Sequence, residues 1–339
     1  MGSLPVTNKR MTEMETGFRL LSEILRKQTD FVIVGHKNAD GDCLGTMGAF
    51  YRLISSRGRD VTLLTVDPIP ENYLFLPGMN EVHVCDSYDC EGRVLFLLEC
   101  GTVERSGIAL SNYGKTINLD HHPDNSFYAS LNIVDSGASS IGEMATCFMR
   151  AYFPLEIKDE VADSLYVAIH TDTGGFSYGN TSPTALTSAA YLVENGADPG
   201  KICAAVYQEN KLERIRLMGH FLSGIQTDET GKIAIGKIRL NELKKYKCTP
   251  ADTDNFSSYP RGISGVKAGV FMMEISPSVF KVSLRSKGEW SVNNTAMKLG
   301  GGGHRAAAGF VQKGRAEELV SEIIRYLKEE NEESNLSNR

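Results

Sequence analysis

Four short segments of this 339-residue chain carry side chains that bind hard cations. The first, FVIVGHKNADGDCLG (31–45), sets His36, Asp40 and Asp42 directly after an apolar run that ends in glycine. Carboxylate oxygens suit divalent ions, and an added imidazole nitrogen favours manganese, cobalt or zinc over calcium. Gly41, between the two aspartates, permits a tight turn that aims both carboxylates at one point. The second segment, INLDHHPDN (117–125), places Asp120, His121 and His122 in a row at another strand end. Adjacent side chains of an extended chain point to opposite sides. One imidazole is therefore expected to ligate while its neighbour faces a substrate or a supporting group. In AIHTDTGGFSYGNTSPTA (168–185), Asp172 stands before a glycine pair, either at a helix end or in the loop beyond it, and His170 reads equally well as a packed helix residue. VLFLLECG (94–101) ends a third strand in Glu99. A carboxylate there can bridge two ions across the crevice, and a plain surface glutamate is the alternative.

A fifth segment, SLRSKGEWSVNNTAMKLGGGGHRAAAGF (283–310), holds the glycines 300–303 followed by His304. Backbone without Cβ can approach an anion closely, and its N–H groups can cradle phosphate. Arg285 and Arg305 can add fork-shaped, charge-assisted contacts. A flexible linker is the usual meaning of such a tract, but this one lies inside a domain, which favours a structured anion loop.

The elements that would position these groups follow from periodicity. Helices are expected at about 10–28, 44–57, 139–152, 159–170 and 184–195. Strands are expected at 31–35, 61–66, 81–85, 94–100 and 115–120. Strands alternating with helices indicate α/β architecture with a doubly wound, mainly parallel sheet, whose ligands bind beyond the carboxyl ends of the strands. A helical stretch at 199–226 shows no break and leads into a smaller α+β region. That region has strands KIAIGKI, VKAGVFMMEI and VFKVSLRS, a Ser-Pro turn at 276–278 and a helix at 315–331. The tail ENEESNLSNR reads as frayed.

Composition sets the bounds. Hydrophobic residues make up 41% and charged residues 23%, enough for two cores in a chain of two-domain length. The net charge of −6 argues against a long-duplex binder, which needs a basic surface, yet allows a small anionic substrate held by cations and a few local arginines. Seven scattered cysteines, odd in number and without CxxC, read as free thiols of a reducing cytoplasm. No apolar run is long enough to span a membrane. The start, MGSLPVTNKR, lacks a signal-peptide core and, with Val6, the myristoylation pattern.

Taken together, HKNADGD, LDHHPDN, HTDTGGF and SLRSKG…GGGGHRAAAGF resemble the DHH–DHHA1 phosphoesterases. The similarity is greatest to the nanoRNase/pAp phosphatase branch and its stand-alone relatives of the cyclic-di-AMP pathway, and it covers about residues 15–330. The resemblance implies a DHH domain at 10–198, a helical linker at 199–228 and a DHHA1 substrate-binding domain at 229–331. It implies two divalent ions, Mn2+ by preference, with His36 and Asp40 on one and Asp42, His121 and Asp172 on the other. Asp120 would orient the histidine pair, and His122 would face the scissile phosphate, the two acting with Asp42 as catalytic groups. Arg285, Gly301, Gly302, Gly303 and His304 would hold the nucleotide or its terminal phosphate, with Arg105 as a further contact. The family's bridging ligand is usually Asp. Glu99 stands at the matching position and is longer by one methylene.

The implied chemistry is attack of a metal-bridging hydroxide on phosphorus. It would release 5′-mononucleotides from short oligoribonucleotides and phosphate from pAp (3′-phosphoadenosine 5′-phosphate). Hydrolysis of pApA or cyclic di-AMP is the same step on a related substrate. Two other classes stay open: a pyrophosphatase or polyphosphatase sharing the metal chemistry, and a non-catalytic nucleotide-binding protein whose altered site Glu99 would mark. A RecJ-like exonuclease fits the short, acidic chain less well. Neither a membrane nor a long nucleic acid is implied as a partner, and a homodimer is left open.

Overall fold

The computed structural model describes residues 5–208 and 210–337, with side chains over 12–208 and 210–332. The myristoylation and signal-peptide readings fall on residues 1–10, whose side chains lie outside the described residues. Contacts divide the chain into two units, Met1–Glu209 and Asn210–Arg339.

In the first unit, α1 (Pro5–Lys27) precedes β1 (Asp30–Val34), α2 (Gly41–Ser55) and β2 (Asp60–Thr65). Then come β3 (His83–Val84), β4 (Ser87–Asp89), β5 (Val94–Leu98), β6 (Ala109–Ser111), β7 (Thr116–Asp120) and β8 (Leu131–Val134). The helices α3 (Ile141–Tyr152), α4 (Glu160–Asp172), α5 (Pro183–Glu194) and α6 (Pro199–Cys203) follow. Six strands form one sheet in the order β3-β2-β1-β5-β7-β8, every pairing parallel. Numbered within the sheet this is 3-2-1-4-5-6, the doubly wound order, whose direction reverses between β1 and β5. The runs FVIV and VLFLL are buried along their length because both faces of the sheet are covered.

One face packs Phe31, Ile33, Phe96 and Leu98 against Leu44, Met47 and Phe50 of α2 and against α1, α3 and α4. The other buries Val32, Val34, Leu95 and Leu97 under Cys90, Ile108, Tyr88 and Leu110. That cover comes from the β4–β6 ribbon and its flanks rather than from helices. Neither β4, β6 nor β8 was expected from the sequence, since each spans four residues or fewer.

Small residues set the helix spacing. A Cβ on Gly45 would stand 2.4 Å from Ser164 O, one on Gly142 2.4 Å from Ala168 Cβ, and one on Gly41 2.5 Å from the Thr171 side chain. Thus α2 and α3 lie directly against α4, whose last residue is Asp172.

The expected continuous helix at 199–226 is corrected. After α6 the chain makes a π-turn (Ala204–Gln208), leaves helical geometry at Asn210 and Lys211, and restarts as α7 (Leu212–Ser223). The segment read as one linker is therefore shared between the two units.

The second unit adds β9 (Gln226–Thr227), β10 (Ile233–Ile238), α8 (Leu240–Lys245), α9 (Ser258–Gly262), β11 (Ala268–Ser276) and β12 (Val279–Ser286). It ends with α10 (Asn293–Lys298), β13 (Gly302–His304), β14 (Ala307–Lys313) and α11 (Ala316–Ser337). Its mixed sheet runs β13-β14-β12-β11-β10-β9, with only β10 and β11 parallel. One face packs on α10 and α11 through Ala296, Leu299, Leu319, Ile323 and Leu327, and the other on Leu217, Phe221, Leu243 and Phe256. The tail expected to fray stays helical to Ser337, and only residues 338–339 of it lie outside the described chain. Glu330, 5% exposed, explains part of this: its carboxylate accepts from Asn294 N, Thr295 N and Thr295 Oγ1 at 2.7–3.1 Å, capping α10.

The glycine contacts give a paired prediction. Gly45→Ala should destabilise the first unit by about 1–3 kcal/mol through overpacking. Gly219→Ala, in the interior of α7 with open space around it, should stabilise the second unit by about 0.4–1 kcal/mol. Urea denaturation of the full chain reads both, and an unperturbed Gly45→Ala would refute the tight helix contact.

Candidate metal centre

The strand ends flanking the reversal of the sheet carry the chemistry. His36 follows β1, Glu99 follows β5, and Asp120 closes β7 ahead of His121 and His122. Glu99 lies one residue past its strand in left-handed backbone (φ 55°), which turns its side chain back across the sheet end. It is 2% exposed. His121 Nε2 lies 3.3 Å from Oε1 and His36 Nε2 3.6 Å from Oε2. Against its burial, these two imidazoles hold the Glu99 carboxyl well below the usual carboxylate range. Its Oε2 nonetheless accepts no hydrogen bond.

Asp42 sits in the first turn of α2, fully buried, and accepts from Ile141 N (2.7 Å) and Gly142 N (2.8 Å) at the N-terminus of α3. Burial, then the charges of Glu99, Asp172 and Asp40, push its carboxyl well upward. Asp172, the last residue of α4, has Oδ2 3.8 Å from His121 Nε2. Burial raises it to about 7, helped by Glu99 and Asp40 against the pull of His121. Asp40 caps α2 through Oδ1, which accepts from Asp42 N and Cys43 N, and lies 3.9 Å from His36 Nε2 at the exposed rim. Against burial, Asp40 and Glu99 raise His36 to about 10. Glu99 and Asp172 likewise raise His121 to about 9.

The divergence expected of the two adjacent imidazoles is corrected. Their rings stand edge to face with centroids 4.9 Å apart. Asp120 Oδ1 accepts from both His121 N (2.8 Å) and His122 N (3.1 Å), so the backbone turns as soon as the strand ends and alternation no longer applies. The same oxygen accepts from His122 Nδ1 at 2.7 Å. Among the described residues, three sets of ligand atoms lie within 4.8 Å of one another: Asp42, His121 and Asp172; Glu99, His121 and His122; and His36, Cys43 and Glu99.

Several supporting residues escaped the sequence reading. Asn125 donates to Asp120 Oδ2 (2.5 Å) and Asn118 Oδ1 (2.7 Å). Asn180 Nδ2 donates to the Asp172 and Ser139 carbonyls (both 3.1 Å) and lies 3.4 Å from Asp172 Oδ2. Glu143 accepts from the hydroxyls of Ser139 and Ser182. Asn125 and Asn180 stand inside LDHHPDN and TGGFSYGN, so only their pairing was hidden. Arg105 is exposed, but its guanidinium lies against Gly101 beside Asp120, and its carbonyl accepts from Lys37 N at 2.8 Å.

In the second unit, the anion loop expected at the glycine tract is corrected to a hairpin edge. Gly301 and Gly303 are required by packing: a Cβ on either would meet backbone of β14 within 2.1–2.6 Å. Gly302 faces open space. His304 pairs with Ala307, which pairs with Arg285. Directly opposed residues share a face, so the small Ala307 side chain separates the imidazole from the guanidinium. Gly302, Gly309 and Ser283 make the next row on that face. Arg305 instead donates to Glu289 O.

A model of the DHH family N-terminal domain matches residues 30–169 and one of the DHHA1 domain matches 230–329. The chain belongs to the DHH–DHHA1 family. It is 30% identical over 312 residues to the bifunctional oligoribonuclease and PAP phosphatase NrnA of Thermus thermophilus, covering 91% of this chain and 93% of that one. Identity to the Bacillus subtilis protein of the same name is 27%, over 81% and 86% of the two chains. The fold matches an exopolyphosphatase-related protein from Bacteroides fragilis with a TM-score of 0.85 at 24% identity, covering 93% and 96%.

Because both histidines are raised above the 6.5 of free imidazole, the stabilisation they draw from Glu99 in metal-free protein is full below that value. It is lost as pH rises through about 9 to about 10. Glu99→Gln should lower both titrations, with Asp40 still holding His36 up and Asp172 still holding His121 up, observable as imidazole proton shifts in chelator-treated protein. Unchanged titrations would show that Glu99 is not their partner.

Proposed function

We propose that this chain is a metal-dependent phosphoesterase that cleaves short oligoribonucleotides to 5′-mononucleotides and removes phosphate from pAp. The carrying observation is the buried, unsatisfied Glu99 oxygen among three further carboxylates and two imidazoles, a donor set that fits two divalent cations. The relatives named as oligoribonucleases and PAP phosphatases over most of both chains support the substrate class.

His36 and Asp40 would hold one ion and Asp42, His121 and Asp172 the other, with Glu99 available to both. Mixed nitrogen and oxygen donors suit Mn2+. When bound, such ions supply Lewis-acid charge and lower the pKa of coordinated water. The chain's own residues do the rest. Asp120 accepts the Nδ1 proton of His122 and leaves Nε2 facing the substrate oxygens. Asp42, anchored by two backbone N–H groups, keeps its ligating direction without side-chain freedom. Within the second unit, Arg285, His304 and the open face at Gly302 would offer a surface for an anion; within the first, Arg105 would add positive charge near Gly101. All seven cysteines are free, which supports a reducing cytoplasm, and no helix of the described residues is long and apolar enough to cross a membrane.

With manganese, the purified protein should release phosphate from pAp and mononucleotides from di- to pentaribonucleotides, as product chromatography would show. Asp42→Ala should lower kcat/KM at least about 100-fold. Failure of the manganese-loaded protein on both substrate types would refute the reading. Asn125→Ala should weaken manganese binding about 10- to 100-fold by calorimetry while leaving the fold intact. Manganese at about 100 times its Kd should stabilise the parent by about 2.7 kcal/mol for each ion bound, and His121→Ala should remove the share of the ion it would hold, as thermal melts would show.

A further inference from the structure

The loop that follows Asp172 has a feature the metal chemistry does not use. Gly174, Gly175 and Phe176 are all in left-handed backbone (φ 57°, 65° and 65°). This run returns the chain onto itself. Ser177 N and Tyr178 N donate to Thr173 O at 2.9 and 3.0 Å, and Thr181 N donates to Tyr178 O at 3.1 Å. Asn180 then closes the loop on the Asp172 carbonyl. The two aromatic rings of the loop are treated differently. Phe176 is half-buried, packed edge-on against His170 and Tyr166. Tyr178 is 47% exposed, yet its ring is fixed from beneath: a Cβ on Gly174 would stand 2.4 Å from Cζ and 2.5 Å from both Cε atoms. Gly174 is thus the floor on which an exposed aromatic ring lies flat, two residues from a proposed metal ligand.

We propose that Tyr178 is a stacking platform for a nucleobase of the bound nucleotide, beside the metal centre. The assignment rests on the phosphoesterase reading above and adds the part of the substrate that this surface reads. A ring supported by backbone and held by three loop hydrogen bonds loses little freedom when a base lands on it, and every base offers a π-face, so the contact is tolerant of sequence. The ring rests on Gly174, two residues beyond Asp172, so a stacked base would lie near the end of the chain segment that carries this carboxylate. A bare phosphate ester without a base gains nothing from it.

The test compares the parent with Tyr178→Ala, Tyr178→Phe and Tyr178→Trp, all manganese-loaded, on pAp and on its abasic analogue, methyl riboside 3,5-bisphosphate. Tyr178→Ala should lose between about 5- and 150-fold in kcat/KM on pAp, chiefly through KM. The Phe and Trp variants should stay within about threefold of the parent. All four proteins should turn over the abasic analogue alike. An equal loss on the abasic analogue would assign Tyr178 a structural role and overturn the proposal, as would an unchanged KM for pAp in Tyr178→Ala. If the parent itself fails on pAp, the functional reading falls separately. Calorimetric titration of AMP into parent and Tyr178→Ala then decides the platform, which stands if the variant binds AMP at least fivefold more weakly and falls if the two bind equally.

Discussion

Four carboxylates, from Asp40, Asp42, Glu99 and Asp172, crowd one end of a parallel sheet, two of them with almost no access to water. Like charges at such range in a dry setting oppose one another strongly. The protein's own answers are partial. Two imidazoles flank Glu99, two backbone N–H groups hold Asp42, and Asp172 is left raised toward neutrality. One Glu99 oxygen accepts no hydrogen bond, with the His36 imidazole 3.6 Å away. An arrangement this poorly compensated from within calls for external positive charge, and the surrounding architecture exists to keep the carboxylates from moving apart.

The sheet accomplishes that by its order. Reversal between β1 and β5 opens a crevice at their carboxyl ends, and the groups that flank it leave strands that pair directly with one another. Because β5 adjoins both β1 and β7, Glu99 stands between His36 and His121 without any long side-chain reach. Glu99 leaves its strand in left-handed backbone, and its carboxylate lies 3.3 Å from His121 Nε2 and 3.6 Å from His36 Nε2.

Much of this was legible from residue order. The runs FVIVG, VLFLLEC and INLD declared buried parallel strands, and the clusters at their ends declared one convergent site. Four things were not legible. The turn at Asp120 depends on a side chain capturing two backbone N–H groups, which residue spacing does not encode. The division of residues 199–226 arises at Asn210 and Lys211, two residues with no strong helix-breaking character. The glycine tract was read for its affinity to anions, whereas two of its members answer to strand packing, with their neighbour Gly302 left facing open space. In the same way, the polar tail could not announce that Glu330 caps a distant helix, since that role appears only once α10 and α11 are packed together.

The glycine seam between α2 and α4 carries a mechanical consequence. Helix α4 is about 20 Å long at 1.5 Å per residue, with Asp172 at its tip and the Gly45 contact near its middle. It therefore behaves as a lever with its fulcrum at Ser164 and Ala168. A methyl group wedged at the fulcrum swings the tip by a comparable distance, and a carboxylate that must meet a cation tolerates misalignment far less than the fold does. The close contacts at these glycines thus bear on the alignment of the tip as well as on the packing of the fold.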